Sequence, residues 1–230
     1  MRTKTKDGKK QSQFLFYFMS CWLILLFLIA ILAPVLAPND PYKTNILKQL
    51  SPAGQNYPLG TDELGRCILS RILYGARTSL FASFIVVIVV FIIGSALGIL
   101  AGYFGGWIDA VIMRISDMMI SFPGMVLAIA VAGIMGASVK NAVIAVAVVS
   151  WPKYARLARS LVMKIRHEDY IYAAIVTGSK TSYILRKYML PNIIPTLIIT
   201  AATDIGGMML ELAGLSFLGF RSEERRVGKE

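Results

Sequence analysis

The sequence contains a single histidine and only two cysteines in 230 residues. Zinc sites in proteins are built largely from these two residue types, and a disulfide framework needs paired cysteines. Cys21 lies in an apolar run and Cys67 in a polar stretch. The composition therefore offers no disulfide pattern and argues against a standing zinc site.

Charge is also scarce. Charged residues make up 16% of the chain, whereas hydrophobic residues make up 56%. A typical soluble domain has about 25% charged residues. This shortage argues against an ordinary soluble domain and indicates a membrane protein.

Long apolar runs dominate the rest of the sequence. A bilayer core of about 30 Å needs roughly 20 apolar residues in one helix. We therefore predict an all-α, polytopic membrane bundle with five spanning helices, at residues 14–33, 80–101, 118–135, about 140–158 and 193–212. The first run has the basic-then-apolar order of a signal peptide, so a cleaved signal is the alternative to a retained helix.

The net charge of +11 is distributed as expected for orientation in a lipid bilayer rather than for binding nucleic acid. Basic residues cluster in residues 1–13 and again after the fourth predicted span. The positive-inside rule places both clusters in the cytoplasm, which an even number of intervening spans allows. Residues 1–13 are then a cytoplasmic basic tail, residues 34–79 an extracytoplasmic loop and residues 80–220 the core of the protein.

The extracytoplasmic loop ends in a stretch with apolar residues at helical spacing. Ile68, Leu69, Ile72 and Leu73 fall on one side, with Arg66 and Arg71 elsewhere. This pattern predicts an amphipathic helix along the membrane interface.

Small residues recur every four positions in the second and third predicted spans. They are Gly94, Gly98 and Gly102 in the second and Ala128, Ala132 and Gly136 in the third. Such stripes let helix backbones approach closely in lipid, so they predict packed helix pairs.

Three charged residues, Asp109, Arg114 and Asp117, flank the beginning of the third predicted span. They are near neighbours on one helix. We expect them to form ion pairs with one another at the membrane edge, with a gating role as the alternative.

A polar segment at residues 166–191 separates the fourth and fifth predicted spans, on the cytoplasmic side. Residues 169–177 favour a short helix, Gly178 a turn with positive φ, and residues 182–189 a second short helix. Pro191 marks the beginning of the fifth span. The segment predicts a helix–turn–helix knob that inserts into a groove on another protein.

The run "YAAIVTGSKTSYILRKYMLP" resembles the EAA loop of ABC importer permeases. The positions that match this loop are Ala173, Ala174, Gly178, Leu190 and Pro191, whereas Tyr172 stands where the family has glutamate. The runs "YPLGTDELGRCILSRILYGARTSL", "MRISDMMISFP" and "AGLSFLGF" are similar to the C-type subunit of the peptide/nickel branch, with Cys67 where aspartate is usual. Within that branch the resemblance is closest to nickel transport permeases.

The resemblance implies an ABC importer type I permease fold with six spans, in a bacterial cell membrane. It also implies a second, B-type permease subunit, two ATP-binding subunits and an extracytoplasmic solute-binding protein as partners. The chain itself would bind no cofactor and catalyse no reaction, because ATP is used by the partner ATPase. In agreement, "TGSKTS" lacks the earlier glycine of a P-loop.

Two acidic residues, Asp204 and Glu211, lie inside the fifth predicted span, where a carboxylate is functional or paired by default. We assign Asp204, Met208, Met209 and Glu211 to the translocation path. A structural role for Asp204, hydrogen-bonded to Thr200 or Thr203, is the alternative.

The cargo implied by this resemblance is nickel, carried as a small chelate, since thioethers suit soft metals. Di- or oligopeptides are the alternative cargo. A secondary transporter would need repeated halves, and a membrane enzyme would need a catalytic constellation; neither pattern is present.

The sequence ends in "RSEERRVGKE", a charged run that cannot span a membrane. We expect that this sequence stops before the sixth helix and that residues 221–230 are a non-native tail. A native surface tail is the alternative.

Overall fold

We describe a computed structural model of the chain that covers the backbone of residues 4–220 and the side chains of residues 15 and 17–220. The described part is all-α, as predicted, with two isolated β-bridges in place of any sheet. Its helices are α1 (Lys4–Leu36), α2 (Ile68–Phe104), α3 (Gly106–Ile120), α4 (Gly124–Met135), α5 (Val139–Arg166), α6 (Asp169–Val176), α7 (Thr181–Ile184) and α8 (Leu190–Phe217). A 3₁₀ turn covers Ile46–Lys48, and a π-helical turn, Leu185–Met189, joins α7 to α8.

The described residues divide into two compact units, and the boundary between them lies within α2, between Phe81 and Ala82. The predicted non-native tail, residues 221–230, lies outside the described residues.

Three helical segments among the described residues are long and apolar enough to cross a membrane: Tyr17–Leu36, Ile68–Phe104 and Thr181–Phe217. The pair α3 and α4 would make a fourth if it is one broken span. Helix α5 lies where the fourth span is predicted, and its 28 residues are long enough, but they include six basic residues: Lys140, Lys153, Arg156, Arg159, Lys164 and Arg166. The multi-pass, apolar-helical architecture agrees with the sequence prediction.

The predicted third span, residues 118–135, is divided between two helices in the structure. α3 ends at Ile120, α4 begins at Gly124, and the two helices are bent by 92°. Pro123 explains the break, because it has no amide hydrogen and disfavours helical geometry in the residue before it.

The second predicted span begins earlier than its apolar run. α2 is one helix of 37 residues from Ile68 to Phe104. The apolar positions from Ile68 onward, predicted to form a separate interfacial helix, are therefore the first turns of the same helix.

In the first unit, the loop between α1 and α2 is held by hydrogen bonds between its two halves. Ser51 and Thr61 pair through their backbones, and the Ser51 amide also donates to Thr61 Oγ1 at 2.8 Å. Gly60 lies beside this pair with a φ of 77°, and a Cβ there would meet the Ser51 carbonyl oxygen at 2.6 Å. The loop thus needs glycine at this position both for its conformation and for close approach.

Asp62 organises the end of the same loop. Its Oδ1 accepts from the Leu64 and Arg66 amides at 3.0 and 2.9 Å, and its Oδ2 accepts from Arg66 Nε at 2.8 Å and from the Arg71 guanidinium. Burial raises the pKa of the Asp62 carboxyl, but the hydrogen bonds from Arg66 and Leu64 outweigh it and lower the pKa to about 2.

We expect this loop to loosen in acid. A carboxyl whose pKa is lower in the folded state stabilises the fold above its ordinary pKa of 3.8, and this stability is lost as the pH falls toward 2. The loss amounts to about 2 kcal/mol. Hydrogen–deuterium exchange in residues 40–67, corrected for its intrinsic pH dependence, should accelerate between pH 4 and 2.

The matched variants for that measurement are Asp62→Asn and Glu63→Gln. Asp62→Asn should exchange fast already at neutral pH and lose the acid dependence. Glu63 is exposed, so Glu63→Gln should behave like the wild type. Equal behaviour of the two variants would contradict the role given to Asp62.

In the second unit, α5 is the central helix. It packs against α3, α4, α6 and α8. Fully buried core side chains come from α2, α5 and α8: Val86, Val90, Val146, Tyr154, Leu197 and Leu212.

The glycine stripe of α2 also faces α5. A Cβ on Gly94 would meet the Trp151 carbonyl oxygen at 2.6 Å, and a Cβ on Gly102 would meet the Arg159 carbonyl oxygen at 2.9 Å. The prediction of a packed helix pair is confirmed for this stripe, because the helices approach closer than any side chain would allow.

The acidic residues of α3 pair with α5 and not with Arg114. Asp109 accepts from Arg159, with Oδ2 to Nη2 at 2.6 Å, and Asp117 accepts from Arg156. The predicted ion pairs within α3 are therefore wrong. The two arginines are three residues apart on α5, so they lie on one face of that helix and reach both carboxylates.

Candidate functional site

The segment predicted to couple to a partner begins with α6, Asp169–Val176. Asp169 lies in its first turn, where a carboxylate offsets the positive end of the helix dipole. Ile171 and Ala174 are buried, while Tyr172 and Ala173 are exposed. One face of α6 thus packs on the protein and the opposite face is left free.

Gly178 ends this helix with a φ of 79°. Its amide donates to the Ile175 carbonyl, and the Ser179 amide donates to the Ala174 carbonyl, both at 3.0 Å. These bonds satisfy carbonyls left over at the helix end. A Cβ at Gly178 would meet nothing within 4 Å, so the position needs glycine for its conformation and not for space.

The second short helix predicted for residues 182–189 is continuous with the fifth span. α7 passes through the π-helical turn Leu185–Met189 directly into α8. Pro191 lies in the first turn of α8. The wider π-helical turn just before it accommodates a ring that has no amide hydrogen to donate, so the chain continues without a loop.

Four of the six predicted coupling residues are exposed in the structure: Tyr172, Ala173, Gly178 and Pro191. Ala174 is buried and Leu190 is half-buried, so these two help to hold the segment in place.

An open groove of about 770 Å³ lies along the second half of this segment. It is lined by Ser179, Lys180, Ser182, Tyr183, Arg186 and Lys187. Lys187 Nζ donates to Tyr183 Oη at 2.5 Å, which orders part of the groove. The sequence leaves these basic residues to water or a partner, and the structure shows that they share one surface.

A second, smaller pocket of about 240 Å³ contains three of the four residues assigned to the translocation path, Asp204, Met208 and Glu211. Met209 is not among its lining residues. The other residues that line it are Ile120, Gly124, Val149, Ser150, Lys153 and Gly207. The pocket therefore lies where the α3–α4 break, α5 and α8 meet.

Lys153 is the charged residue of this pocket that the sequence did not assign to the translocation path. Its Nζ lies 2.6 Å from Asp204 Oδ1. The sequence prediction places Lys153 with the other basic residues after "SW" in one cytoplasmic cluster. The feature of the sequence that could have identified Lys153 is its position directly after an apolar run, one residue beyond Pro152.

The second oxygen of Asp204, Oδ2, is buried, and the described residue that interacts with this carboxylate from the core side is Tyr154, whose hydroxyl is buried as well. The hydroxyls proposed as its partners bond within α8 instead: Thr200 to the Thr196 carbonyl at 3.0 Å and Thr203 to the Thr200 carbonyl at 2.8 Å. The predicted hydrogen bonds from Asp204 to Thr200 or Thr203 are therefore wrong, because a threonine hydroxyl on a helix bonds to a backbone carbonyl of the preceding turn.

Within residues 4–220 as described, no three His, Cys, Asp or Glu side chains are grouped so that they could hold a metal ion.

Comparison with known proteins identifies the family. Residues 94–223 match the family described as binding-protein-dependent transport system inner membrane component. The chain belongs to this family. The match covers both residues 166–191, the segment predicted to couple to a partner, and the residues that line the pocket.

Curated relatives agree with this family. A dipeptide transport system permease protein of Alkalihalophilus pseudofirmus is 43% identical over 196 residues, which are 85% of this chain and 64% of that protein. A glutathione transport system permease protein of Pectobacterium atrosepticum is 40% identical over 204 residues, 88% of this chain and 67% of that protein. A nickel transport system permease protein of Escherichia coli (strain K12) is 37% identical over 198 residues, 86% of this chain and 71% of that protein.

These relatives are named as permease subunits of transport systems and not as enzymes, in agreement with the sequence prediction. The chain spans 64% of the length of the dipeptide permease. The predicted resemblance to the peptide/nickel branch of ABC importer permeases is confirmed. The predicted preference for nickel has no specific support, since a dipeptide permease shares more identity than the nickel permease does.

Proposed function

We propose that this chain is a membrane-spanning permease subunit of an ATP-driven importer, and that its cargo is a small peptide. The observation that carries the proposal is the exposed surface formed by Tyr172, Ala173 and Gly178. This surface follows α5 in the chain and belongs to a segment whose sequence resembles the coupling loop of importer permeases. A rigid, exposed helical knob suits insertion into a cleft of another protein.

The partners of such a subunit are a second, B-type permease, two ATP-binding subunits and an extracytoplasmic solute-binding protein. ATP is bound and hydrolysed by the ATP-binding subunits. In this arrangement the N-terminus and residues 166–191 face the cytoplasm of a bacterial cell, and closure of the ATP-binding subunits moves the knob.

The charge of the small pocket favours a zwitterion over a bare metal cation. Asp204 is already paired with the Lys153 ammonium at 2.6 Å, and this positive charge would repel a bare divalent cation at the same carboxylate. A small peptide carries one charge of each sign and can satisfy both.

A nickel chelate is the second candidate cargo. Met208 lines the pocket, and a thioether is a suitable ligand for soft metals. The names of the relatives include both kinds of cargo.

Reconstitution of the complete complex tests the proposal. The chain is purified with its second permease, ATP-binding and solute-binding subunits, and uptake of radiolabelled alanyl-alanine into proteoliposomes is measured with and without ATP. We expect ATP-dependent peptide uptake that ends when the P-loop lysine of the ATP-binding subunits is replaced.

Uptake of radiolabelled nickel with histidine, in the absence of peptide uptake, would assign the cargo to the nickel chelate. Uptake by this chain alone, without ATP-binding subunits, would contradict the proposal as a whole.

A further inference from the structure

We propose that the pocket between the α3–α4 break, α5 and α8 binds a small peptide by its two charged ends. The peptide carboxylate would lie at Lys153, and the peptide ammonium would lie at Asp204 and Glu211. This inference rests on the proposed transport of peptides and adds the residues that recognise them.

The pocket brings both signs of charge into one small volume. Lys153, Asp204 and Glu211 all line a space of about 240 Å³. Ligand pockets for drug-sized molecules are about 300–1,000 Å³. The pocket therefore suits a molecule of a few residues at most.

Asp204 can accept a further hydrogen bond at the oxygen that also binds Lys153. Its side chain is 13% exposed, and Lys153 uses one of the two lone pairs of its Oδ1. Its Oδ2 is buried, interacts with the buried Tyr154 hydroxyl and is closed to a ligand. A ligand that donates to the second lone pair of Oδ1 gains a hydrogen bond to a charged group. An ammonium group is a suitable donor, since it carries both the protons and the opposite charge.

Lys153 is placed to receive the other end. Its side chain is 58% exposed, and an ammonium has three N–H donors, of which Asp204 uses one. A peptide carboxylate can therefore bind Lys153 without displacing Asp204.

The beginning of α4 adds to the positive side of the pocket. Gly124, the first residue of α4, lines the pocket, and its N-cap, Pro123, supplies no side-chain hydrogen bond. The first amides of a helix have no partner within the helix, and the dipole makes this end favourable for an anion. Broken helices in transporters place such ends toward anionic groups of the substrate.

The other residues that line the pocket select little among peptide side chains. Ile120, Val149 and Met208 are apolar, and Gly207 leaves open space, with nothing within 4 Å of a Cβ built there. The pocket thus distinguishes peptides by their charged ends more than by their side chains.

Equilibrium binding of radiolabelled alanyl-alanine to the purified permease–ATPase complex in lipid nanodiscs tests the inference. Leaving out the solute-binding protein removes its own selection among peptides. The competitors are unlabelled alanyl-alanine, its C-terminal amide and its N-acetyl derivative. We expect each modified peptide to compete about tenfold less well with the wild-type complex, the loss expected from one charge-assisted hydrogen bond.

Two variants separate the two ends of the pocket. Lys153→Gln should abolish the preference for a free carboxylate and keep the preference for a free ammonium. Asp204→Asn should keep the preference for a free carboxylate and weaken the preference for a free ammonium to the part that Glu211 provides. Lys140→Gln, which replaces an exposed lysine at the other end of α5, should keep both preferences. If a single variant fails to assemble, the double variant Lys153→Gln/Asp204→Asn removes both members of the ion pair, and it should lose the preference for a free carboxylate and retain only the weakened preference for a free ammonium.

A wild-type complex that transports alanyl-alanine but does not discriminate among the three peptides would overturn this inference and leave the proposed function standing. The inference would also fail if both single variants kept both preferences or lost both together. A complete complex, with its solute-binding protein, that does not transport alanyl-alanine would overturn the proposed cargo and this inference with it.

Discussion

Replacing Gly98 with leucine is expected to prevent the second unit from assembling. A Cβ at this position would overlap the Ala155 carbonyl oxygen and lie 2.8 Å from Ala158 Cβ. These atoms belong to the backbone and to the shortest side chain of α5, so neither can move aside, and the two helices must separate. We expect a cost of more than about 3 kcal/mol, beyond the usual range for overpacking.

The measurement is the amount of complex that co-purifies with the chain, together with its thermal midpoint. Gly75 is a matched control, since it lies on the same helix, is exposed and has nothing within 4 Å of a built Cβ. Gly75→Leu should leave the yield and the midpoint near those of the wild type. Similar losses in both variants would show that α2 tolerates neither change, and the close contact with α5 would not be the cause.

Replacing Gly178 with valine is expected to reduce ATP-dependent uptake tenfold or more, while the chain still inserts into the membrane and assembles with its partners. The residue has a φ of 79° and open space around it, so valine meets no neighbouring atom but cannot adopt this backbone conformation cheaply. A branched residue at positive φ costs of the order of 1–3 kcal/mol. The turn between α6 and α7 should therefore rearrange and displace the exposed face of α6.

Gly178→Asn distinguishes the conformational cause from a steric one. Asparagine tolerates positive φ, so this variant should retain most of the uptake although its side chain is of comparable size. Normal uptake by Gly178→Val, with ATPase activity that still responds to cargo, would contradict a coupling role for this turn. Equal loss in both variants would mean that the partner's cleft, and not the turn, excludes a side chain here.

Features that depend on a short stretch of chain could be predicted from the sequence. The apolar runs indicated a multi-pass helical bundle because burying backbone polar groups in lipid requires helices. The four-residue repeat of glycine in α2 indicated close helix packing, and Gly178 indicated a left-handed turn; the structure has both. In each case the physical cause lies within a few turns of the residues concerned.

Features that depend on partners distant in sequence could not be predicted in this way. Asp109 pairs with a residue 50 positions away, and Asp204 with a residue 51 positions away. Spacing on a single helix pointed instead to Arg114 for the first and to threonines of the same helix for the second. A helix surface offers several equally spaced candidates, and only the packing of another helix selects among them.

The sequence by itself thus determined the all-α membrane architecture and the family resemblance, because these follow from local composition and motif spacing. Only the tertiary structure decided that Lys153, Asp204 and Glu211 share one pocket beside the bend between α3 and α4. The reason is that a pocket is formed by the crossing of helices, and the place where two helices cross depends on how all the others pack around them.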